Sequence, residues 1–385
     1  MKSNYSELGK YIREVNERNS GLTITNLLGV SMEKTFIKSV ANLNGVDMSV
    51  YKVLRNEQLA CKLMSVGRDE KLPVDIYREQ EPSIVSSAYY VFEPKNKEEL
   101  LPEFLMMWLC RPENDRYIGF ISGGDVRGGI SWETFCSLPI KVPTIAKQKE
   151  IVKEYNAVQN RIALNQQLIQ KLEETAQAIY RQWFVEGFDE NWEEKSIGDL
   201  CSLVTDGKHG DCQNETASGF YFVSVKDLIN GDIFYDNVRQ ITRKDFEETH
   251  KRTDLKSGDI LLTSSGTIGR MIIVKEDPKT YRTTLQKSVA VLKPILELAP
   301  SYYLFSLLNS EMKNIIELAG GSTIANLLLG DLKRFKIKYP GQQLIYKYEK
   351  LISPIYKNIE LKNKENQKLA ELKDLLLSKL ATIEN

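Results

Sequence analysis

The most regular pattern in the chain is a run of apolar positions stepping by four and three: Ile151, Tyr155, Val158, Ile162, Asn165, Ile169, Leu172, Ala176, Ile179 and Trp183. From Lys147 to about Val185 there is neither proline nor glycine. Ten consecutive a/d positions with one polar member predict a coiled-coil helix. At ~1.5 Å per residue it is roughly 58 Å long. Pro139 and Pro143 set its upstream limit, since a proline inside the segment would remove a hydrogen bond and push its predecessor out of the α region.

A second such segment runs from about Gln342 to Ile383, with Leu344, Tyr348, Ile352, Ile355, Ile359, Leu369, Leu376 and Leu380 on its seam. It carries Pro354 preceded by Ser353, which predicts a kink or a restart with Ser353 as N-cap. Its middle is polar, with Lys362 and Asn366 where the first helix has Asn165 and Ile169. A seam this long needs a partner of equal length, so the two helices are expected to pack on each other as an antiparallel coiled coil. Asn165 and Asn366 would fix its register at some cost in stability. The alternative is two separate amphipathic helices, each lying on its own domain.

Between these helices the periods shorten. Gly258 to Val274, GDILLTSSGTIGRMIIV, predicts two short buried strands around a Ser/Gly-rich turn, and SVAVLKP predicts another strand. Ser301 to Gly320 predicts a helix ended by Gly320 and Gly321, followed by the loop STIANLLLGD and the strand RFKIKYP. The first part of the chain has the same plan: strands within Tyr51 to Val66, a helix from Leu101 to Cys110, the loop SGGDVRGGI and the strand SLPIKVP. Strands interleaved with helices make the fold class α+β (mixed α/β).

The two halves are copies. An ungapped offset of 197 residues places Gly123-Gly124 on Gly320-Gly321, Ile140-Lys141 on Ile337-Lys338, Pro143 on Pro340, Ile162 on Ile359, and Gln170-Lys171-Leu172 on Gln367-Lys368-Leu369. Just upstream, LPEFLMMWL matches APSYYLFSLL and YYVFEP matches VAVLKP after small gaps. Four segments follow: a globular domain over 1–142, a central helix over 143–187, a second globular domain over 188–339 and a terminal helix over 340–385. Two equivalent domains on a two-helix strut form an object with pseudo-two-fold symmetry.

Composition changes this picture little. With 385 residues, 42% of them hydrophobic, the chain has length for two domains and apolar residues for their cores, which excludes disordered and collagen-like classes. Five cysteines at irregular spacings and only His209 and His250 make a disulfide framework or zinc site improbable. Cys201, His209 and Cys212 lie close together, but a fourth ligand at suitable spacing is missing, so no metal is expected. The polar N-terminus and the absence of any apolar run near eighteen residues point to a cytoplasmic protein without a membrane span.

Charge is more informative than its total suggests. Fifty-two basic and 52 acidic side chains cancel, which at first argues against a nucleic-acid binder. Within the second domain, however, residues 188–238 carry 3 basic and 11 acidic side chains, and 239–293 carry 12 and 7. Neutrality averages unlike stretches, and a basic stretch in an otherwise acidic domain can face phosphate.

Catalytic motifs are missing. There is no G-x-x-x-x-G-K-[ST] loop, no G-x-G-x-x-G after a strand and no Asn/Asp-Pro-Pro-aromatic tetrapeptide to hold a flipped adenine. Two histidines beside polar loop residues leave little material for Ser/His/Asp or Cys/His triads. The chain reads as non-enzymatic.

The order of globular unit, proline-bounded helix, globular unit and proline-bounded helix resembles the specificity subunit of type I restriction-modification systems, over essentially the whole chain. Its carriers are LPIKVPTIAKQKEIVKEYNAVQNRI (Leu138 to Ile162), QLIQKLEETAQAIYRQWF (Gln167 to Phe184), WEEKSIGDLCSLVTDGKHGD (Trp192 to Asp211), SGDILLTSSGTIGR (Ser257 to Arg270) and AGGSTIANL (Ala319 to Leu327). The first domain departs from the pattern with NEQLACKLMSVGR in place of SGDILLTSSGTIGR, and Lys336 stands where the second helix lacks the first proline of its lead-in. The resemblance implies two target-recognition domains, each reading one half of a bipartite site in double-stranded DNA. It implies that the helices hold the domains apart and dock two methylation subunits, with endonuclease subunits outside them. It implies no cofactor on this chain, with S-adenosylmethionine and ATP/Mg on partner subunits only.

Candidate DNA contacts follow from residue type. Ser264, Ser265, Thr267 and Arg270 offer hydroxyls, close backbone approach and a guanidinium, a mix suited to phosphate clamping and base-edge readout. Lys208, Arg282, Gln286, Lys287, Ser322 and Thr323 are further candidates, with Lys62, Arg68 and Arg127 in the first domain. A second function class stays open: a coiled-coil scaffold whose repeated domains bind proteins rather than DNA.

Overall fold

The computed structural model describes residues 5–39, 45–64, 66–123, 128–229, 231–320 and 325–380, the side chain of Arg68 excepted. The chain forms two compact units, Met1–Leu164 with Asn366–Asn385, and Asn165–Glu365. Each unit therefore holds one globular body together with a stretch of each long helix.

In the first unit the strand Ser6–Glu7 pairs antiparallel with Pro139–Ile140, and Leu8 N–H donates to the Leu138 carbonyl at 2.9 Å. A four-stranded sheet has the order Ile12–Val15, Tyr90–Pro94, Leu59–Cys61, Val74–Ile76 with antiparallel neighbours. Ile12 lies opposite Pro94, and Leu59 opposite both Phe92 and Ile76. A second sheet orders Phe36–Lys38, Leu27–Val30, Ser83–Val85 and Lys52–Leu54, and its middle pair is parallel. The helix Pro102–Leu109 has proline in its first turn, where the missing N–H has no intrahelical acceptor to lose. It packs Phe104 to Leu109 into one cluster with Leu59, Val74 and Phe92.

The second unit repeats this topology. Glu193–Ser196 pairs antiparallel with Lys336–Tyr339, and Ile197 N–H donates to the Phe335 carbonyl at 3.0 Å. Its four-stranded sheet has the order Cys201–Asp206, Val289–Pro294, Ile260–Thr263, Met271–Ile273. Ile260 lies opposite both Leu292 and Ile273, as Leu59 lies opposite Phe92 and Ile76, but the edge pair differs: Cys201 lies opposite Pro294, and a bulge before Leu203 then shifts the register by one residue. Here too a second sheet contains one parallel pair, Tyr221–Val223 with Thr283–Leu285, and a helix, Ser301–Glu317, follows. The closing pairs Leu138 and Phe335, and Ile140 and Ile337, stand at the 197-residue offset of the repeat. The hairpin differs between copies. A tight turn over Ser264 to Arg270 joins its strands in the second unit, and a longer connection containing the helix Val66–Asp69 joins them in the first.

The central helix runs from Ile145 to Tyr180 and continues as π-helical turns over Arg181–Glu186. The terminal helix, Gln342–Lys379, passes through Pro354 without restarting at Ser353. Pro354 is exposed; it forfeits the bond its N–H would have donated to the Lys350 carbonyl and its ring crowds that carbonyl, a cost the helix bears without breaking. In the first unit Tyr155 is buried in the same cluster as Leu377 and Leu380, and Val158 is buried as well. Ile151, Ile162, Asn366, Leu369 and Leu376 are half-buried there. In the second unit Asn165, Ile352 and Ile359 are buried, while Ile169, Leu172, Ile179, Trp183 and Ile355 are half-buried. The rings of Tyr180 and Phe184 lie 5.9 and 5.0 Å from that of Tyr348, and Phe184 lies 5.3 Å from Tyr303.

In each unit a polar side chain, buried Gln148 or half-buried Glu349, ties a long helix to the start of the body helix. Gln148 accepts from Leu101 N–H at 2.9 Å and donates to the carbonyls of Glu99 and Pro143 at 2.7 and 2.8 Å. Glu349 accepts from Tyr303 N–H at 2.9 Å. Burial pushes the Glu349 carboxyl above its ordinary value of about 4.5, against the pull of the Tyr303 and Tyr302 N–H groups. A carboxyl raised on folding stabilises fully below its unfolded value, and that contribution is lost as pH rises through the folded value. Glu349→Gln keeps the acceptor and removes the charge. It should therefore raise the melting temperature at pH 7 and change it little at pH 4, in thermal unfolding followed by circular dichroism at both pH values.

Candidate nucleic-acid interface

The hairpin turn of the second unit is held by its own side chains. Thr263 Oγ1 accepts from Arg270 N–H at 2.9 Å and donates to the Thr267 carbonyl, and Gly269 N–H donates to the Thr263 carbonyl at 3.0 Å. Gly269 has φ +94°, and a Cβ there would stand 2.9 Å from Ile316 Cδ1, so this position requires glycine.

Two other segments meet this turn through backbone hydrogen bonds, and a third, around Lys208, joins one of them. Ser264 N–H donates to the Ser288 carbonyl at 2.8 Å, and Leu327 N–H donates to the Ser264 carbonyl at 2.8 Å. Ser265 forms an isolated bridge with Asn326. Lys208 N–H donates to the Leu285 carbonyl at 2.7 Å, and Lys287 N–H returns to the Lys208 carbonyl at 3.1 Å. Gly207 makes this approach possible, because a Cβ on it would fall 1.9 Å from the Leu285 carbonyl oxygen. Lys208, Ser264, Ser265, Gln286 and Lys287 are thus gathered from distant parts of the sequence.

Electrostatics then separates these candidates. Lys208 Nζ lies 2.8 Å from Glu248 and 3.4 Å from Asp245, with its side chain 15% exposed. Arg270 is exposed, but its guanidinium donates to the carbonyls of Leu228 at 2.7 Å and Val225 at 3.1 Å, which anchors the turn to a neighbouring loop. Ser264 is buried, Ser265 half-buried and Thr267 exposed. Arg282, Gln286 and Lys287 are exposed, and neither Arg282 nor Lys287 has an acidic partner among the described residues. Arg282 sits at the opposite end of the strand Thr283–Leu285 from Gln286. At ~3.3 Å per residue this places Arg282 and Lys287 about 16 Å apart along the backbone.

The basic surplus of residues 239–293 is largely spent inside the unit. Arg239 pairs with Asp211 at 2.5 Å, Arg252 with Asp206 at 3.2 Å, Lys275 with Asp232 at 2.6 Å and Lys293 with Asp259 at 2.5 Å. Asp206, Asp211 and Asp232 belong to the acidic stretch 188–238, so the two unlike stretches neutralise one another rather than forming one uniformly basic face. Lys279, which residue type alone does not single out, is exposed and lies over the rings of Tyr235 at 5.2 Å and Tyr221 at 6.0 Å.

In the first unit Lys62 is half-buried beside the strand Leu59–Cys61, its N–H donating to the Pro73 carbonyl at 3.0 Å. The side chain of Arg68, and Arg127, Ser322 and Thr323 entire, lie outside the described residues. His209 Nε2 lies 2.9 Å from Asp206, and burial pushes the Cys201 thiol up to about 12. Among the described residues no group of three or more His, Cys, Asp or Glu side chains is arranged to hold a metal, and no helix is long and apolar enough to cross a membrane.

A family model of the type I restriction modification DNA specificity domain matches residues 75–174 and 189–371. The type I restriction enzyme HindI specificity subunit of Haemophilus influenzae is 21% identical over 425 residues, covering 89% of this chain and 89% of that one. The MjaIX specificity subunit of Methanocaldococcus jannaschii is 23% identical over 305 residues, covering 74% of this chain and 69% of that one. Among solved structures, the S subunit of a type I restriction-modification system from M. genitalium shares the fold with a TM-score of 0.56 at 14% identity, over 98% of this chain and 95% of that one.

The pairing pattern predicts two kinds of variant. Arg282→Ala and Lys287→Ala should each reduce the slope of log affinity for duplex DNA against log salt by about one, without changing the preferred sequence. Lys208→Ala, which removes an internally paired cation, should lower the melting temperature and leave that slope unchanged. Fluorescence anisotropy of the assembled complex over a salt series, with thermal melts of the same variants, checks both.

Proposed function

Because the chain belongs to the family defined by the type I restriction modification DNA specificity domain, we propose that it selects the DNA sequence on which a type I restriction-modification complex acts. Each globular body reads one half of a bipartite target in double-stranded DNA. The observation that carries this reading is the shared sheet order of the two bodies, with Leu59 opposite Phe92 and Ile76 in one and Ile260 opposite Leu292 and Ile273 in the other. Two equivalent readers suit two half-sites separated by a fixed stretch of duplex, about one turn or ~34 Å in the simplest geometry.

The long helices act as the spacer and as the docking surface for two methylation subunits, and endonuclease subunits join outside them. Internal ion pairs take up Arg239, Arg252, Lys275 and Lys293 of the second body, and phosphate contacts supply most nonspecific affinity. The chain therefore contributes sequence choice, while partner subunits contribute much of the grip on the duplex and all of the chemistry. S-adenosylmethionine and ATP/Mg bind to those partners.

Long-read mapping of N6-methyladenine in the host genome, with and without this gene, tests the reading. A two-part motif with a constant unread gap should vanish on deletion, and an unchanged methylation pattern would reject it. A heptad inserted within Ile162 to Ala176, matched by one in the terminal helix, should alter the length of the unread gap and leave both half-sites intact. An unchanged gap would reject the spacer role.

A further inference from the structure

The two bodies carry unlike side chains at one equivalent place. In the second, Leu327 N–H donates to the Ser264 carbonyl where the tight turn begins; in the first, Ile130 N–H donates to the Leu63 carbonyl at 3.1 Å. Ile130 and Leu327 stand at the 197-residue offset of the repeat, and Leu63 and Ser264 each lie four residues past the matching strand residues Leu59 and Ile260. The connection that begins at Met64 is therefore the first body's counterpart of the turn. A helix end lies against it in both copies. Ile316 meets Gly269 in the second body, and in the first a Cβ on Gly67 would stand 2.5 Å from Ser122 Oγ, just past the helix Pro112–Ile121.

What differs is polarity. Met64 stands where the second body has Ser265, and Phe120 stands at the repeat offset of Glu317. Met64 is 59% exposed and Phe120 80%, and neither belongs to the buried cluster of its body. Apolar side chains scattered singly are ordinary on a protein surface, but these two replace polar residues beside one connection, at the position of a candidate readout turn. Arg116, four residues before Phe120 and on the same helix face, is exposed. Its contact with Glu113 at 3.3 Å is a surface ion pair, which a phosphate can replace at small cost.

In the major groove of duplex DNA the base edges present hydrogen-bonding groups and one apolar group, the thymine methyl. Hydroxyls such as those of Ser265 and Thr267 suit the former, and exposed Met64 and Phe120 suit the latter. We propose that the first body reads thymine in its half-site through the 5-methyl group, with Met64 and Phe120 as the contacts. The proposal rests on the half-site reading given above and adds the chemistry by which one body performs it.

The test is binding of the assembled complex, by fluorescence anisotropy, to duplexes carrying the mapped motif in which each thymine on either strand is replaced in turn by deoxyuridine, which lacks only the methyl group. At one thymine or more within one half-site the wild-type complex should bind about three- to fivefold more weakly, the size expected for one buried methyl group. Met64→Ser and Phe120→Ser should each weaken binding of the unmodified duplex, and the double variant should be indifferent to uracil at those positions. Its response to uracil in the other half-site, and its melting temperature, should match the wild type. If the double variant melts lower, the size-keeping pair Met64→Gln and Phe120→His carries the test in its place. Uracil sensitivity retained by the double variant, or absent from the wild type, would overturn methyl reading and leave half-site recognition standing. Weaker association of the double variant with the methylation subunit in titration calorimetry, with uracil sensitivity retained, would assign these side chains to a protein contact and overturn the proposal as well. A wild-type complex that binds motif-bearing and scrambled duplexes equally would overturn the half-site reading itself, and the proposal with it.

Discussion

Both globular bodies are closed by the same short antiparallel ribbon, in which the first strand of the body pairs with its last. Leu8 N–H on the Leu138 carbonyl and Ile197 N–H on the Phe335 carbonyl complete the closure. Pairing the two ends of a body brings its entry and exit side by side, so the long helix that follows starts from a defined point. Pro143 and Pro340 then prevent the closing strand from running directly into the helix, because each pushes its predecessor toward extended backbone. Gln148, in the first turn of its helix, and Glu349, about two turns into the other, reach back to the backbone at the start of the body helices. Burial of such polar side chains is tolerable only when they are hydrogen-bonded, so these contacts both require and enforce one orientation of helix and body. The proposed spacer role asks for helices rigidly joined to their bodies, and these contacts join each helix to its body within a unit.

The electrostatic design follows from the same economy. A zero net charge is compatible with DNA recognition once the charges are seen in pairs. Asp206, Asp211 and Asp232 take up Arg252, Arg239 and Lys275, which staples the loops of the second body together. Exposed cations without an acidic partner among the described residues of this body include Lys226, Lys244, Lys251, Arg282 and Lys287, with Gln286 and Thr267 as exposed polar groups. Cations on phosphate position a protein on the duplex, and polar groups on base edges discriminate between sequences.

Much of this architecture is legible in the sequence, and the exceptions share one cause. The long helices announce themselves by a sustained seam and proline limits. The repeat shows in the offset that relates Ile140 to Ile337, and the hairpin around Ser264 to Arg270 shows in its alternation of strand and turn residues. The parallel pairs Leu27–Val30 with Ser83–Val85 and Tyr221–Val223 with Thr283–Leu285 are not legible, because three- or four-residue strands joined across some sixty residues carry no local period. The terminal helix runs through Pro354 although a proline alone predicts a break, and the π-helical turns carry Phe184 against Tyr303 and Tyr348, packing that no local period records. Among the candidate contacts, the gathering of Lys208, Ser264 and Lys287 and the engagement of Arg270 with carbonyls are tertiary facts. Residue type identifies a guanidinium but cannot say whether solvent, a carboxylate or a carbonyl receives it.

The central claim is that the two bodies are independent readers of two half-sites. The most direct measurement is the methylation motif of a chimaera in which residues 188–339 are replaced by the equivalent body of a family member with a different target. The account predicts that one half of the motif changes to that of the donor while the other half and the gap are retained. A motif changed in both halves, or in neither, would contradict it.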